Sequence, residues 1–284
     1  MKIKEKLFDN KVHISCELFP PKSGTDLTNM EQVVAKIATV KPSYMSVTYG
    51  AGGNTVGHSV AVAEQVEKNG VPCLAHLTCV NADEENIRQV LQELRGVGVE
   101  NILALRGDIP KGGSIGTFNY ASDLVKFVKQ AGDFCVGGAA YPEGHPEAGS
   151  LTKDIENIKK KVDAGVDFLV TQMFFNNDIL YNYSMRLLHA GVNVPLVPGI
   201  MPVTNGAQIK RICELSGTKL PVNFARMVER FADNPAAMQQ AGIAYATEQI
   251  IDLIVNGFKN IHVYTMNKPQ IIGGIMQNLS EIVG

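Results

Sequence analysis

The chain lacks an excess of positive charge. Its 284 residues carry 26 Lys and Arg against 28 Asp and Glu, which gives a formal net charge of -2, and no Lys- or Arg-rich segment stands out. A balanced charge of this kind offers no basic surface for a nucleic-acid backbone or an anionic bilayer. Nucleic acids and membranes are therefore not expected among its partners.

Long apolar runs and paired cysteines are also absent. The chain has no stretch of 18 apolar residues, and its first ten residues contain no apolar segment of a secretory signal. The five cysteines are odd in number and none forms a Cys-x-x-Cys pair, which argues against a disulfide framework or a structural zinc site. These absences predict a cytoplasmic protein whose cysteines are small, mostly buried thiols.

The glycine-rich loops of the common nucleotide-binding folds are missing as well. The segment after the first apolar run, Glu17-Leu-Phe-Pro-Pro-Lys22, has no glycine, although a dinucleotide-binding fold would have its fingerprint there. Gly50-Ala-Gly-Gly-Asn-Thr55 lacks the required spacing, and Lys111-Gly-Gly-Ser114 is not a Walker loop. A nucleotide, if bound, would be held by other groups.

What the sequence contains is a repeated unit: an amphipathic stretch, a glycine or proline, a short β-branched run and a polar loop. Glycines before the runs, such as Gly70, Gly98 and Gly257, suit the left-handed residue that ends a helix. Eight strands are predicted, near Val12–Leu18, Tyr44–Thr48, Pro72–Leu77, Asn101–Leu105, Phe134–Ala140, Phe168–Met173, Pro195–Ile200 and Ile261–Thr265.

Helical patterns follow the strands, and further helical sequence lies between Leu220 and Asn256. Strict β/α alternation requires a parallel sheet, and eight units in a chain near the ~250 residues typical of the fold predict a (β/α)8 TIM barrel. We expect one domain over residues 1–284, with extra helices before the last strand. The clearest helical patterns are Leu27–Thr39, Glu84–Val97, Ile155–Ala164 and Ile179–Ala190.

Polar side chains follow the predicted strands where each strand ends. The carboxyl ends of all strands in a barrel lie on one face, so these side chains are expected to share one site. Each has a simpler explanation when it is taken singly, such as a core histidine or a local ion pair between Arg106 and Asp108. The set as a whole favours a shared site: Glu17, Thr48, His76, Arg106, Asp108, Tyr141, Gln172 and Lys268.

Several longer motifs go beyond a generic barrel. They are Glu17-Leu-Phe-Pro-Pro-Lys22, Ser46-Val-Thr-Tyr-Gly50, His76-Leu-Thr-Cys79, Ala104-Leu-Arg-Gly-Asp-Ile-Pro110, Ala139-Ala-Tyr-Pro-Glu-Gly-His-Pro-Glu-Ala148, Thr171-Gln-Met-Phe-Phe175 and Pro198-Gly-Ile-Met-Pro202. With these motifs in the same order, the chain resembles the methylenetetrahydrofolate reductase family in its single-domain form, from about Lys11 to Asn267.

The resemblance implies a flavoenzyme of folate metabolism. NADH or NADPH would reduce FAD, and FAD would then reduce 5,10-methylenetetrahydrofolate to 5-methyltetrahydrofolate in ping-pong fashion; a homo-oligomer is also expected. Glu17 would be the general acid, Asp108 would contact the pterin near the flavin, and Thr48, Gln172, Gln208 and Lys268 would hold the folate. Motif matching assigns to the cofactor Thr48, Tyr49, Ala51, His76, Arg106, Gly107, Asp108, Tyr120, Ala121, Tyr141, His145, Ala148, Asp154, Asn157, Lys160 and Lys161.

Two of these assignments also have a physical rationale in the sequence. An apolar setting beside Cys16 and Leu18 would raise the pKa of Glu17 and keep its carboxyl partly protonated near neutral pH. Asp154, Asn157 and Lys161 lie three and four residues apart, so one helix face would present them together to a ligand. A merely solvated helix face is the alternative reading of Asp154 and Lys161.

The chain departs from the family pattern at a few positions. Leu18 replaces an aromatic residue, Gly206 lies where a bulky residue is frequent, and Lys268 stands where arginine is expected. Lysine offers a point charge in place of a fork for a carboxylate. The loop Asn54-Thr-Val-Gly57 also lacks the usual charges. These differences bear on folate affinity and on the electron donor.

Two other functions remain open at this stage. A metal-dependent aldolase or hydrolase could use His76, His145, Asp108 and Glu143, since imidazole and carboxylate bind divalent ions, although no typical metal-binding spacing occurs. A flavin-binding subunit that passes electrons within a larger complex is the second possibility. The presence of Glu17 and Gln172 beside the flavin set argues against it.

Overall fold

A computed structural model of the chain describes residues 1–21, 27–49, 56–109 and 116–283. Within them all strand pairings are parallel and form one sheet, in the order β7-β6-β5-β4-β3-β2-β1-β9-β8. The strands are β1 (His13–Leu18), β2 (Met45–Val47), β3 (Cys73–Thr78), β4 (Asn101–Leu105), β5 (Cys135–Ala140), β6 (Phe168–Thr171), β7 (Leu196–Val197), β8 (Gly199–Ile200) and β9 (Asn260–Val263).

The sheet curls into a nearly closed barrel, and the predicted fold class is confirmed. One detail differs, because the predicted strand Pro195–Ile200 is two short segments on either side of Pro198. Proline has no backbone N–H to donate to a sheet. The first segment, β7, pairs with β6 and the second, β8, pairs with β9, so the two ends of the sheet belong to one stretch of chain.

Helices alternate with the strands as predicted, with ends shifted by a few residues. The helix predicted over Ile155–Ala164 begins earlier, at Leu151, because the Ser150 side chain accepts a hydrogen bond from the N–H of Lys153 and caps it. The helices are α1 (Ile3–Leu7), α2 (Thr28–Ala38), α3 (Val56–Lys68), α4 (Glu84–Gly96), α5 (Ala121–Ala131), α6 (Leu151–Asp163), α7 (Asn177–His189), α8 (Gly206–Ser216), α9 (Val222–Phe231), α10 (Pro235–Val255) and α11 (Pro269–Asn278), with a short 3-10 turn at Pro146–Ala148.

Several finer predictions from the sequence also hold. The extra helices before the last strand are α9 and α10. Gly70, Gly98 and Gly257 have φ of +73°, +94° and +93°, which is the left-handed conformation expected of a residue that ends a helix. Four of the five cysteines are buried, and Cys213 is partly exposed. In the described part of the chain, no helix is long and apolar enough to cross a bilayer.

The amino-terminal helix α1 closes the barrel at the end where the strands begin, and the sequence did not predict it. Ile3 is fully buried and packs into the barrel interior with Leu74 and Phe168. The backbone N–H of Ile3 donates to the Asn101 side chain at 2.7 Å, and the Lys4 ammonium lies 3.3 Å from Asp167. This plug leaves the opposite end, where the strands finish, as the accessible mouth.

Candidate active site

A cavity of about 1540 Å³ opens at the carboxyl ends of β3, β4 and β5. This is the face on which barrel proteins carry their sites. Of the sixteen residues that motif matching assigns to the cofactor, thirteen line the cavity, whereas Thr48 and His76 do not. Ala51 and the loop residues Asn54 and Thr55 lie outside the described residues.

One face of α6 forms a polar wall of the cavity. Asp154 is only 5% exposed, and its Oδ2 has no hydrogen-bond partner. Burial raises the pKa of Asp154, while the charge of Lys161 opposes that shift. The Lys161 ammonium donates to the carbonyl of Ala139 at 2.5 Å, and burial lowers the pKa of Lys161 to about 8. The solvated-face reading of this pair is therefore wrong, and an unmet acceptor of this kind suits a ligand hydroxyl.

The Arg106-Gly107-Asp108 segment after β4 forms a second wall. Arg106 Nη1 lies 2.7 Å from Glu147 Oε2, so the ion pair formed by Arg106 is with Glu147 and not with Asp108. The Glu147 carboxylate raises the pKa of Arg106. Gly107 has φ of +86°, and a Cβ there would lie 2.8 Å from Val80 Cγ1. Only glycine therefore fits this turn, which brings bare backbone to the cavity.

Two aromatic rings and a helix start complete the described rim. The rings of Tyr141 and His145 meet edge to face with centroids 4.6 Å apart. His145 Nδ1 accepts from the N–H of Glu147 at 3.1 Å, which ties the ring to the 3-10 turn. Tyr120 is the N-cap residue of α5, and its N–H donates to the Asp123 carboxylate at 3.0 Å. The cavity thus has flat apolar surfaces between its charged groups.

Glu17 lies inside the barrel mouth rather than on the cavity wall. Its side chain is buried, and its Oε2 lies 3.6 Å from Nε2 of His76, an atom that has no hydrogen-bond partner. Burial raises the pKa of Glu17 to about 8 and lowers the pKa of His76 to about 3. The rise in the pKa of Glu17 that was expected from the sequence is confirmed. Burial disfavours the charged form of each group, so it raises the pKa of the acid and lowers that of the imidazole.

The residues matched to the folate lie on other strand ends. The Gln172 N–H donates to the carbonyl of Ala140 at 2.7 Å, and its Oε1 accepts from the N–H of Met173. The Lys268 ammonium donates to Thr204 Oγ1 at 2.8 Å. The adjoining residue of that loop, Asn205, caps α8 by accepting from the N–H of Gln208 at 3.0 Å. The loop after β8 therefore contacts both Gln208 and Lys268.

Thr48 and the departures from the family pattern have clear surroundings. The Thr48 N–H donates to the carbonyl of Leu18 at 3.0 Å, which places it beside the end of β1. Leu18 itself is fully buried. A Cβ on Gly206 would lie 3.2 Å from Val228 Cγ1, so α9 occupies the space that a larger residue would need. A larger side chain at this position would require Val228 to shift by a few tenths of an ångström or more.

Sequence reasoning missed several groups near the site. The Tyr264 hydroxyl passes beside Gly199 of β8 and donates to the carbonyl of Thr171 at 2.5 Å, which links the end of β9 to the end of β6 beside Gln172. His262 bonds Ser15 and Ser46 through its two ring nitrogens, at 2.8 and 3.2 Å. The available signal was the alternation of polar residues along β1 and β9. Further cavity residues missed from the sequence are Thr78, Asn81, Asn86, Gln89, Glu93, Ser122, Glu147 and Lys153.

The groups proposed for a metal site do not come together. Glu143 accepts hydrogen bonds from the N–H of Lys219, whereas His76 is buried beside Glu17 and His145 packs on Tyr141. Among the residues that the structure describes, no three His, Cys, Asp or Glu side chains are grouped so that they could hold a metal ion.

The barrel, its single mouth and the polar groups at the strand ends define the class: a single (β/α)8 barrel with a ligand site at the carboxyl ends of its strands. A solved protein from Clostridium thermocellum, described as binding two copies of 5-methyl-5,6,7,8-tetrahydrofolic acid, has the same fold with a TM-score of 0.69 at 14% identity over 98% of both chains. A phosphonopyruvate hydrolase has a TM-score of 0.56 at 12% identity over 99% of this chain and 86% of its own.

Sequence relatives identify the family within that class. Residues 2–280 match the family model described as methylenetetrahydrofolate reductase. The 5,10-methylenetetrahydrofolate reductases of Pectobacterium carotovorum and Escherichia coli are each 32% identical over 270 residues, which cover 95% of this chain and 90% and 91% of theirs. Methylenetetrahydrofolate reductase (NADH) 1 of Arabidopsis thaliana is 34% identical over 99% of this chain and 50% of its own. The chain belongs to the methylenetetrahydrofolate reductase family, a family of oxidoreductases, and the resemblance predicted from the motifs is confirmed.

Proposed function

We propose that the protein reduces 5,10-methylenetetrahydrofolate to 5-methyltetrahydrofolate, with electrons that pass from NADH or NADPH through FAD in a ping-pong cycle. The observation that carries this proposal is Glu17, a buried carboxyl with a pKa near 8 at the mouth of a barrel of this family. Such a group is mostly protonated at neutral pH and can act as a general acid.

The cavity residues fit FAD. At about 1540 Å³ the cavity exceeds the ~300–1,000 Å³ common for small-molecule sites, so a dinucleotide has room. The unpartnered Oδ2 of Asp154 suits a ribose or ribityl hydroxyl. Lys160, Lys161 and Arg106 would hold the pyrophosphate and the flavin carbonyls, and the bare backbone at Gly107 allows a flat ring to lie close. When bound, FAD would supply a carrier that accepts hydride from one substrate and delivers it to the next.

The other polar groups would orient the substrates. Asp108 lies on the cavity wall. Its negative charge there would destabilise the anionic form of the reduced flavin and so make the flavin a better hydride donor. Gln172 offers an amide donor and acceptor to whichever substrate is present. Lys268 and Gln208, which the loop after β8 connects, would hold the glutamate end of the folate, and the single lysine charge would attract its carboxylate.

Glu17 would deliver the proton that the reaction needs. Opening the five-membered ring of the folate requires protonation of a weakly basic nitrogen, and the neutral carboxyl of Glu17 carries such a proton at pH 7. His76 is uncharged at that pH because its pKa is near 3, so it does not compete as an acid. Burial of both side chains keeps bulk water away from the transfer.

The first experiment is anaerobic spectroscopy of the purified protein. The proposal expects the yellow absorbance of oxidised flavin, its bleaching by NADH or NADPH, and its return on addition of 5,10-methylenetetrahydrofolate with formation of 5-methyltetrahydrofolate. Bleaching without recovery by the folate would favour the electron-transfer subunit instead. A colourless protein that divalent metal activates would favour the aldolase or hydrolase.

A variant pair sharpens the test. Glu17→Gln should keep its flavin and its reduction by NADH or NADPH, yet lose turnover with the folate, because glutamine cannot donate the proton. Glu229→Gln, which changes an exposed carboxylate on α9 away from the cavity, is the matched control and should leave both half-reactions unchanged. Steady-state kinetics of the wild type should give parallel double-reciprocal lines, and intersecting lines would contradict a shared site.

A further inference from the structure

The segment between β9 and α11 has an unusual backbone. Met266 and Asn267 follow one another with φ of +52° and +57°. Residues other than glycine seldom adopt this left-handed conformation, and two in succession are costly unless surrounding contacts hold them. Asparagine tolerates it better than most residues, but methionine does not. Contacts made by this segment should therefore explain why the conformation persists.

The Asn267 side chain makes those contacts with the loop after β1. Its Oδ1 accepts from the N–H of Phe19 at 2.9 Å, and its Nδ2 donates to the carbonyl of Phe19 at 2.7 Å. One carboxamide thus satisfies both backbone groups of a residue 248 positions away. Cys16 and Val263 are the last residue pair between β1 and β9, and β9 ends at Val263. The Asn267 amide therefore bonds the backbone N–H and carbonyl of Phe19, which have no strand partner in β9.

A second contact from the same segment reaches the candidate acid itself. The buried hydroxyl of Thr265 donates to the backbone carbonyl of Glu17 at 2.8 Å. Glu17 is therefore held by Thr265 at its own carbonyl and by Asn267 two residues further on. The next residue along the segment, Lys268, is one of those proposed to bind the folate. One short turn therefore carries the groups that hold the backbone around Glu17 and, next to them, a residue proposed to bind the substrate.

We infer that Asn267 is a positioning residue, which fixes the end of β1 so that the Glu17 carboxyl stays buried and aimed into the mouth. Thr265 assists it. The inference rests on the proposed function of Glu17 as the acid of folate reduction. Small displacements of a reacting group cost large factors in rate, on the order of 10²-fold for about 1 Å. The left-handed turn is the conformation that brings the Asn267 amide to Phe19.

The test compares Asn267→Gly with Asn10→Gly. Glycine keeps the left-handed backbone and removes only the carboxamide. Asn10 has φ of +67° and lies before β1, at the opposite end of that strand, so it is a matched control. Thr265→Val is a second variant, which keeps the shape of the side chain but removes the bond to the Glu17 carbonyl. Flavin content, thermal stability, the two half-reactions and amide exchange at Phe19 are measured for each.

For Asn267→Gly we expect the flavin content and the reduction by NADH or NADPH to match the wild type. Reoxidation by 5,10-methylenetetrahydrofolate should slow by roughly 10- to 100-fold. The alkaline limit of that step should move to lower pH, because water reaching Glu17 lowers its pKa. The Phe19 amide should lose protection against exchange. Thr265→Val should slow the same half-reaction, and Asn10→Gly should change none of these.

The outcomes separate the inference from the function it rests on. If Phe19 loses protection while folate reduction keeps its rate and pH profile, Asn267 does not position Glu17. An equal loss in both half-reactions together with flavin release would mean a general structural role, which also overturns the inference. If Glu17→Gln turns over the folate as fast as the wild type, the proposed role of Glu17 fails, whatever the exchange at Phe19 shows.

Discussion

Replacement of Glu17 by glutamine should make the protein more stable, by an amount that depends on pH. The folded chain buries this carboxyl and raises its pKa from 4.5 to about 8. The folded state therefore holds a proton that the unfolded state releases between those two values. The favourable contribution of the protonated form is complete below pH 4.5 and is lost as pH rises towards 8. Glutamine stays neutral, so the variant avoids this loss.

The size of the effect follows from the two pKa values. Each pH unit between them corresponds to about 1.36 kcal/mol, so the full penalty for an ionised Glu17 is on the order of 5 kcal/mol. The gain in stability of Glu17→Gln over the wild type should grow by roughly 3–4 kcal/mol between pH 5 and pH 8. The whole free energy of unfolding of an ordinary domain is about 5–15 kcal/mol, so a change of this size is a large part of it.

The assay is urea denaturation of both proteins at matched flavin content across that pH range. Glu229→Gln, at an exposed site on α9, shows how a surface carboxyl behaves under the same conditions. Because all other groups titrate alike in the wild type and the variant, the difference between them isolates Glu17. Parallel stability curves for the wild type and Glu17→Gln would refute the reasoning, since they would mean that Glu17 is not held protonated in the folded state.

Three further predictions concern other parts of the molecule. Asp154→Asn should weaken flavin affinity by about tenfold, the worth of one hydrogen bond to a charged group, and should not lower the thermal stability of the flavin-free protein. Equilibrium dialysis measures the affinity and thermal melts measure the stability. Unchanged affinity would count against a contact between Asp154 and the cofactor. Gly107→Ala should cost about 1–3 kcal/mol by denaturation, because φ of +86° and the close Val80 leave no room for a Cβ; a neutral result would show that the turn can relax. Ile3→Ala should cost about 2–5 kcal/mol, since Ile3 is fully buried in the barrel floor, whereas the exposed Glu5→Ala should cost far less; equal small effects would mean that α1 is not a plug.

The repeated order of strands and helices could be predicted from the sequence because it rests on local chemistry. Apolar runs of strand length, amphipathic stretches and a glycine at each helix end are all visible in the chain. Gly70, Gly98 and Gly257 adopt the left-handed conformation that their positions required. Proline at 198 carries a local signal too, but its consequence, the division of one strand between two neighbours, depends on how the sheet closes.

The candidate site could be assembled in part. Side chains at strand ends converge in any parallel barrel, and so most residues matched by motif line one cavity. The partner of Arg106 could not be foreseen, because the sequence neighbour Asp108 was as plausible as Glu147, and only the folded chain brings Glu147 to 2.7 Å. The short helix α1 was missed since five residues carry too little periodicity to be recognised.

The sequence of this protein by itself determined the order of the helices and strands, the family, and the identities of the residues at the strand ends. Periodicity and motifs are properties of neighbouring residues, so they can be read without the fold. The tertiary structure decided which distant groups meet. It buried Glu17 beside His76, left one oxygen of Asp154 without a partner, and joined Asn267 to Phe19. These contacts depend on the closure of the barrel, which sets both the local dielectric and the distances between atoms of residues far apart in the chain. Neither the dielectric nor such distances can be derived from the order of residues in the sequence.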